Sequence, residues 1–233
     1  MSRALAALLL AALAGAPAAE ARAPVVPQLV VFRSGKAVAK RVSSKGVLVT
    51  VKHRRCGAGT GTALAALVRS KPRRLRLRDF GSCSRRARDG AGLFVSRIGA
   101  DRNSGQDGWV YKVGHKAATA GAADPAGPFG NGRRLRSGQR VTWFYCRLKA
   151  QSCQRTLALK ATREPGGAQV EVRGYDDEGR GAAVAGATVR LGGASQLTDA
   201  GGGAHFTVAP GSYPAYAAKA GLVRSFSERV VVK

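Results

Sequence analysis

The chain is poor in acidic residues, histidines and aromatic side chains. Its 233 residues include 13 Asp and Glu against 39 Lys and Arg, three His and 6% aromatics. Neither Gly-x-Ser-x-Gly nor His-Glu-x-x-His occurs in it. His53, His115 and His205 lie far apart, and the few carboxylates of the basic part of the chain are scattered. We therefore expect no enzymatic activity, no cofactor and no metal.

Long apolar stretches are also missing. The longest, at residues 4–14, follows Arg3 and is shorter than the roughly 20 residues that span a bilayer. Small-residue cleavage sites come next, at residues 16–18 and 19–21. This order is typical of a secretory signal. We expect residues 1–21 to be a signal peptide, no transmembrane anchor, and a secreted protein that is extracellular or associated with a cell wall.

The four cysteines include no Cys-x-x-Cys pair, which argues against the alternative of a zinc site. They are Cys56, Cys83, Cys146 and Cys153. An even number in an exported chain indicates two disulfides. Of the three pairings, proximity favours Cys56–Cys83, which would tie a helix region to the following strand, and Cys146–Cys153, which would close a short loop between two strands.

The net charge of +26 is unevenly distributed. Residues 23–162 contain 29 Lys and Arg against 5 Asp and Glu, whereas residues 163–233 contain 8 against 7. This step, beside the turn-forming sequence Glu164-Pro165-Gly166-Gly167, predicts a domain boundary. The predicted divisions are a tether or leading strand at 22–44, including a tether at 24–27, a basic domain at 45–162, a linker at 163–167 and a second domain at 168–233.

Short β-rich runs between turn residues predict a mainly β chain. The predicted strands are residues 29–32, 47–51, 74–78, 93–98, 108–114, 140–145, 157–161, 169–173, 187–191, 204–208, 213–219 and 225–232. A helix is predicted from its cap at Thr62, with Leu64, Leu67 and Val68 on one face and a stop at Pro72.

The second domain resembles the carboxypeptidase regulatory-like family of transthyretin-like, immunoglobulin-like β-sandwiches. The residues that carry this resemblance are 184–189, Thr198, Asp199, Gly201, Gly202, Phe206, 210–213 and 219–221. The resemblance implies an all-β sandwich that serves as a structural or adhesive spacer. Asp199 is expected to bond its own turn, and Phe206, Val208 and Tyr213 are expected to fill the space between the sheets.

The basic domain resembles the domain at the C-terminus of transcobalamin-like proteins (DUF4430). Two aromatic blocks carry this resemblance: Gly108, Trp109, Tyr111, Val113 and Gly114, then Gly138, Val141, Trp143 and Tyr145. The sequence departs from the family pattern at Gly114-His115, where Asn-Gly is usual, and at Gln139, where Asp is usual. The resemblance implies an α+β, β-grasp-like domain, and in transcobalamin-like proteins this domain helps to cover cobalamin.

The aromatic residues of those blocks permit two interpretations. Trp109 and Tyr111 share one side of a strand, as do Trp143 and Tyr145. Core packing is the favoured interpretation, because half-buried strands need such residues. The alternative is a small-molecule site in which these four rings stack on a ligand.

Clustered arginines are the sharpest surface feature of the sequence. The cluster consists of Arg73, Arg74, Arg76, Arg78, Arg85, Arg86 and Arg88. Two further groups are Lys52, Arg54 and Arg55, and Arg133, Arg134 and Arg136. Such density attracts polyanions, including teichoic acid, anionic lipid surfaces and nucleic acid, without specific nucleic-acid recognition. The alternative is a compositional bias whose charges are simply solvated.

Together these features predict an exported, non-catalytic binding or surface-interaction protein. Its basic domain would contact a cell-wall or other polyanion, or an unknown ligand, and its second domain would present or stabilise the first. Two alternatives remain open. One is a carrier for a small molecule such as a cobalamin-like ring, and the other is a secreted hydrolase with an unfamiliar site.

Overall fold

The computed structural model describes residues 22–81, 83 and 92–232, so the predicted signal peptide at 1–21 lies outside the described residues. The described chain is mainly β with one short helix, which confirms the predicted fold class. No helix in this part of the chain has the length and apolar character that crossing a bilayer requires.

The first half of the described chain is built on a five-stranded mixed sheet. Its elements are β1 (Val25–Val31), β2 (Ala37–Ser43), β3 (Val47–Val51), β4 (Arg54–Ala58), α1 (Ala63–Arg69), β5 (Arg76–Asp79), β6 (Leu93–Ile98), β7 (Asp101–Arg102), β8 (Gly108–Val113), β9 (Lys116–Ala117) and β10 (Val141–Cys146). The strand order is β2-β1-β10-β8-β9, with β1 parallel to β10 and the other pairs antiparallel. The β3–β4 hairpin, α1 and the β5-β6-β7 sheet share one core with this sheet.

The segment predicted as a tether belongs to the sheet. β1 lies between β2 and β10, residues 25–27 pair with β2, and Val26 is fully buried. Pro24 precedes the strand, and pairing with β10 begins at Gln28, just after Pro27. The prediction of a tether at 24–27 was therefore wrong, because the two prolines frame the start of the strand without interrupting its pairing with β10.

The helix begins and ends close to the predicted positions. The Thr62 hydroxyl accepts a 3.2 Å hydrogen bond from the main-chain N–H of Ala65, which confirms the predicted cap. The main-chain N–H of Ser70 closes the last turn, two residues before Pro72. Residues 63–67 are all buried, not just one face, because three alanines leave room for close packing on every side.

The second half of the chain forms two four-stranded sheets. Its strands are β11 (Thr156–Glu164), β12 (Gly167–Tyr175), β13 (Gly181–Ala183), β14 (Thr188–Leu191), β15 (Ala194–Leu197), β16 (Gly203–Thr207), β17 (Gly211–Ala218) and β18 (Glu228–Val232). In one sheet β12 pairs with β11 on one edge and with β13 and β16 on the other; the second sheet has the order β15-β14-β17-β18. Both contribute to one core, in which Phe206 is buried and Val208 and Tyr213 are partly buried, as expected. Asp199 accepts a hydrogen bond from the N–H of Gly203, as its turn role requires.

The predicted linker at 163–167 is a hairpin turn. β11 pairs with β12 from Thr156 opposite Tyr175 to Glu164 opposite Gly167, and Gly166 takes a φ of +72° at the tip. A Pro-Gly turn suits a hairpin as well as a linker. Composition could not distinguish the two, and the pairing of β11 shows that this segment lies inside the second half's sheet.

Both disulfides have the pairing that proximity favours. Cys56–Cys83 ties β4 to the segment after β5, whereas we expected it to tie the helix region to the strand that follows the helix. Cys146–Cys153 closes the loop between β10 and β11, as predicted. Two disulfide bonds are compatible with a protein of an oxidising compartment.

Lys112 joins the two halves of the chain. Its side chain is 1% exposed and leaves β8 on the face opposite Trp109 and Tyr111. The ammonium donates hydrogen bonds to the main-chain oxygens of Tyr175 (3.1 Å) and Asp176 (2.7 Å) and forms a 3.1 Å ion pair with Asp177. Burial lowers the pKa of Lys112, and the Asp177 carboxylate opposes that effect.

A small second core lies beside this junction. Leu29, Val31, Phe144 and Cys146 of the five-stranded sheet are buried together with Val223 of the second half. The ring of His115 stacks on Tyr175 with centroids 3.7 Å apart. The central strands of the five-stranded sheet, β1, β10 and β8, are therefore covered on both faces.

We expect loss of Cys56–Cys83 to destabilise the fold more than loss of Cys146–Cys153. The paired residues are 27 and 7 positions apart, and a longer closed loop removes more entropy from the unfolded chain. Loop entropy predicts losses of about 3.6 and about 2.5 kcal/mol in the free energy of unfolding. Denaturant unfolding of the two paired Cys→Ser variants measures both, and the reverse order would contradict the expectation.

The Lys112→Met substitution should lower the free energy of unfolding by about 3 kcal/mol, because the main-chain oxygens of Tyr175 and Asp176 and the Asp177 carboxylate lose the cation that they bind. Lys36→Met is the matched control: Lys36 is exposed in the β1–β2 turn, and its loss should change stability by less than about 0.5 kcal/mol. Equal midpoints for the two variants in a urea titration would refute the role given to Lys112.

Candidate functional site

β5 places a row of arginines in solvent. Arg76 and Arg78 are exposed, whereas Leu75 and Leu77 are partly buried against the core, so the predicted alternation is confirmed. Arg73 and Arg74 are exposed in the turn before the strand. Arg74 has a φ of +53°, so the strand begins at Arg76 and not at residue 74 as predicted. We call Arg73, Arg74, Arg76 and Arg78 the cationic face.

Further cations lie on the hairpin beside β5. Lys52 and His53 form its two-residue turn, both with positive φ, and Arg54 and Arg55 follow; all four are exposed. The Cys56–Cys83 disulfide and the packing of β3 against β5 hold this hairpin next to the cationic face. The predicted Arg85, Arg86 and Arg88 lie outside the described residues.

The third basic group lies on the long loop before β10. Arg133, Arg134 and Arg136 are exposed. The guanidinium of Arg134 donates to the main-chain oxygen of Pro125 (2.9 Å) and lies 3.4 Å from that of Thr60. Arg134 therefore holds the loop against the chain that follows β4.

The described carboxylates of the first half accept hydrogen bonds from the main chain. Each of the four accepts a hydrogen bond from a backbone N–H: Asp79 from Gly81 (3.0 Å), Asp101 from Arg33 (2.7 Å), Asp107 from Leu148 (2.9 Å) and Asp124 from Ala126 (2.8 Å). The ion pairs between described residues involve other cations and leave the cationic face out. Among these residues its charge is therefore not neutralised.

The four predicted ligand-binding aromatics are core residues. Trp109, Tyr111, Trp143 and Tyr145 are 1–7% exposed on one face of the paired strands β8 and β10. Tyr111 stacks on Trp143 at 5.0 Å, and Trp109 meets Tyr145 edge-on at 6.0 Å. A pocket of about 400 Å³ reaches Trp109, Tyr111 and Trp143 from one side. Contact of a ligand with these rings stays a prediction.

Hydrogen bonds fix three of these rings in place. The indole of Trp109 donates to Asp101 O (2.9 Å), and the hydroxyls of Tyr145 and Tyr111 donate to Arg102 O (3.0 Å) and Ala120 O (3.1 Å). Burial raises the pKa of Tyr111 far above its usual range, and the Asp124 charge adds to the effect. These polar atoms thus serve the packing of the sheet.

The three histidines lie on different elements. His53 is exposed in the β3–β4 turn, and His205 on β16 lies 3.3 Å from Glu164. Burial lowers the pKa of His115, and the charges of Arg140 and Lys112 lower it further. Over residues 22–81, 83 and 92–232, no three His, Cys, Asp or Glu residues gather as metal ligands would.

Two polar residues within apolar strands escaped the sequence reasoning. Lys112 lies between the run Trp109-Val110-Tyr111 and Val113, and Gln28 precedes Leu29-Val30-Val31; both are at most 1% exposed. A polar residue inside an apolar strand was the available signal. Its meaning depends on partners that are distant in sequence.

Comparison with known proteins gives no relative. No protein-family model matches the chain, no curated protein matches it, and no solved structure matches it.

Burial of both tryptophans predicts the protein's fluorescence. We expect the folded chain to emit at short wavelength and to be weakly quenched by acrylamide, because Trp109 and Trp143 are 2% and 1% exposed. Unfolding in guanidinium with a reductant should shift the emission to longer wavelength and increase quenching. Long-wavelength, readily quenched emission from the folded protein would contradict the core assignment.

Proposed function

We propose that this chain is an exported, non-catalytic binding protein that attaches to an anionic polymer through the cationic face. The observation that carries the proposal is the outward row of Arg76 and Arg78 on β5, extended by Arg73 and Arg74 and not neutralised by the described carboxylates. Such a surface attracts a chain of phosphates or sulfates over a distance set by the ionic strength. Cell-wall teichoic acid has this chemistry.

Two further features support this proposal. Both disulfides suit an oxidising, extracellular setting. The second half is close to neutral, and its junction with the first half at Lys112 suits a module that presents the basic half. Attachment to a polymer requires no reacting groups, and the scattered histidines are consistent with that.

We also propose, as a finer assignment, that the first half is a transcobalamin-like C-terminal domain and the second a carboxypeptidase regulatory-like domain. The first assignment is supported by the parallel pairing of β1 with β10 and by the one helix, α1, that the described chain forms between these two strands. The two sheets around Phe206 support the second. Attachment to a polymer does not depend on either one.

Heparin affinity tests the cationic face. We expect the full chain to be retained at moderate salt. Replacing Arg73, Arg74, Arg76 and Arg78 by Gln should weaken binding by about tenfold or more, and it should lower the steepness of the salt dependence by roughly one for each arginine that pairs with an anionic group of the polymer. Binding of fluorescent heparin and of poly(glycerol phosphate), measured over a range of salt, gives both quantities.

A matched variant distinguishes binding through the cationic face from attraction to the total positive charge of the chain. Lys160, Arg163, Arg190 and Arg229 are exposed in the second half, and their replacement by Gln removes the same total charge. This control should bind nearly as tightly as the unaltered chain. If both variants bind equally weakly, or the unaltered chain elutes at low salt, the cationic face is not a binding site.

A further inference from the structure

A second pocket lies between the β1–β2 pair and the turn that follows α1. Its volume is about 380 Å³, within the usual range for small-molecule sites. One wall is the core-side face of β1 and β2, and the opposite wall is formed by residues 70–73 with Gly99. Of the four arginines of the cationic face, Arg73 alone lines this pocket.

The β1–β2 ladder gives the pocket a polar end and an apolar end. Gln28 pairs with Lys40, and two positions further along β1 Val30 pairs with Val38. Residues two apart on a strand share a face, so both pairs face the pocket, and Phe32 continues the apolar side. A ligand that matches this wall is charged or polar at one end and apolar at the other.

Gln28 is the polar group that indicates a ligand. Its side chain lines the pocket, the residue is 1% exposed, and Oε1 has no hydrogen-bond partner in the described part of the chain. A buried polar atom without a partner costs about 1–3 kcal/mol. Rotation of the amide exchanges its oxygen and nitrogen, so Gln28 can offer a ligand either an acceptor or two donors.

Three cations line the pocket, and one of them, Lys40, lies at the polar end beside Gln28. Lys40, Lys71 and Arg73 line the pocket, and no described carboxylate lies within ion-pair distance of them. The Lys40 ammonium donates a 2.7 Å hydrogen bond to Ser70 O, which holds it at the pocket and leaves two of its N–H donors for a ligand. This charge favours an anionic head group.

We propose that the pocket binds a small amphipathic anion, with its head beside Gln28 and Lys40 and its apolar body along the Val30–Val38 pair. The head accepts hydrogen bonds from the Gln28 amide and the Lys40 ammonium, while Lys71 and Arg73 add positive charge to the opposite wall of the pocket. The apolar body covers the valines and Phe32. The proposal does not rest on polymer attachment, although Arg73 belongs both to this pocket and to the cationic face.

Octanoate and octan-1-ol test the proposal, because they have the same apolar chain with and without the charge. Calorimetric titration of the full chain should show one octanoate bound per chain and binding of the alcohol weaker by about tenfold. Val38→Trp, at a position 47% exposed, should abolish binding of both by filling the pocket without loss of fold. Octanoate binding that does not saturate, or that survives Val38→Trp, overturns the proposal.

Two further variants identify the residues that bind the head group. Lys40→Met should weaken octanoate binding by about tenfold, whereas Lys36→Met, which removes the same charge outside the pocket, should not. Gln28→Leu should weaken octanoate binding while leaving the melting temperature unchanged or higher, because it removes an unpartnered amide. If Lys40→Met and Lys36→Met bind octanoate equally weakly, octanoate is attracted by the net charge of the chain, and the proposed site is refuted. Heparin retention is measured on the same samples, so failure of either proposal is seen separately.

Discussion

The buried ammonium of Lys112 determines how the two halves of the chain meet. A charge can leave water only where fixed acceptors replace its hydration, and here they come from the last residue of β12 and the turn that follows it. β8 and that turn must therefore be neighbours. The same constraint buries Leu29, Val31 and Phe144 against the second half. This explains why all six residues of β10 are buried, because a sheet covered on both faces requires continuous rather than alternating apolar residues.

The distribution of charge follows from what the carboxylates do. In the first half the described Asp side chains hold loops by accepting main-chain N–H groups. In the second half Asp177 faces Lys112, and its neighbour Asp176 pairs with Arg180. The excess of positive charge at β5 thus comes from the placement of the few acids as well as from the number of arginines.

Local patterns predicted the elements that depend on local interactions. β3 and β6 match the predicted residues, Thr62 caps the helix, and the arginines of β5 point outward, because alternation and capping are properties of neighbouring residues. β2 was missed because most of its residues are not buried and show no regular alternation. The role of Lys112 depends on partners more than 60 positions away, and that of Gln28 on a pocket built from several elements. Sequence periodicity reports on neighbouring residues and therefore predicts neither the partners of Lys112 nor the pocket beside Gln28.

The change in charge at residue 163 falls inside the β11–β12 hairpin, and the hairpin therefore limits where the chain can be cut into two folded parts. Severing it at residue 163 would remove most of β11 and expose one edge of β12 to any strand that could add to it. A self-sufficient second half has to begin before Thr156, immediately after the cystine loop that ends at Cys153. The unit of charge and the unit of folding therefore do not coincide, because Lys160, the last basic residue before the step, lies in a strand of the neutral half.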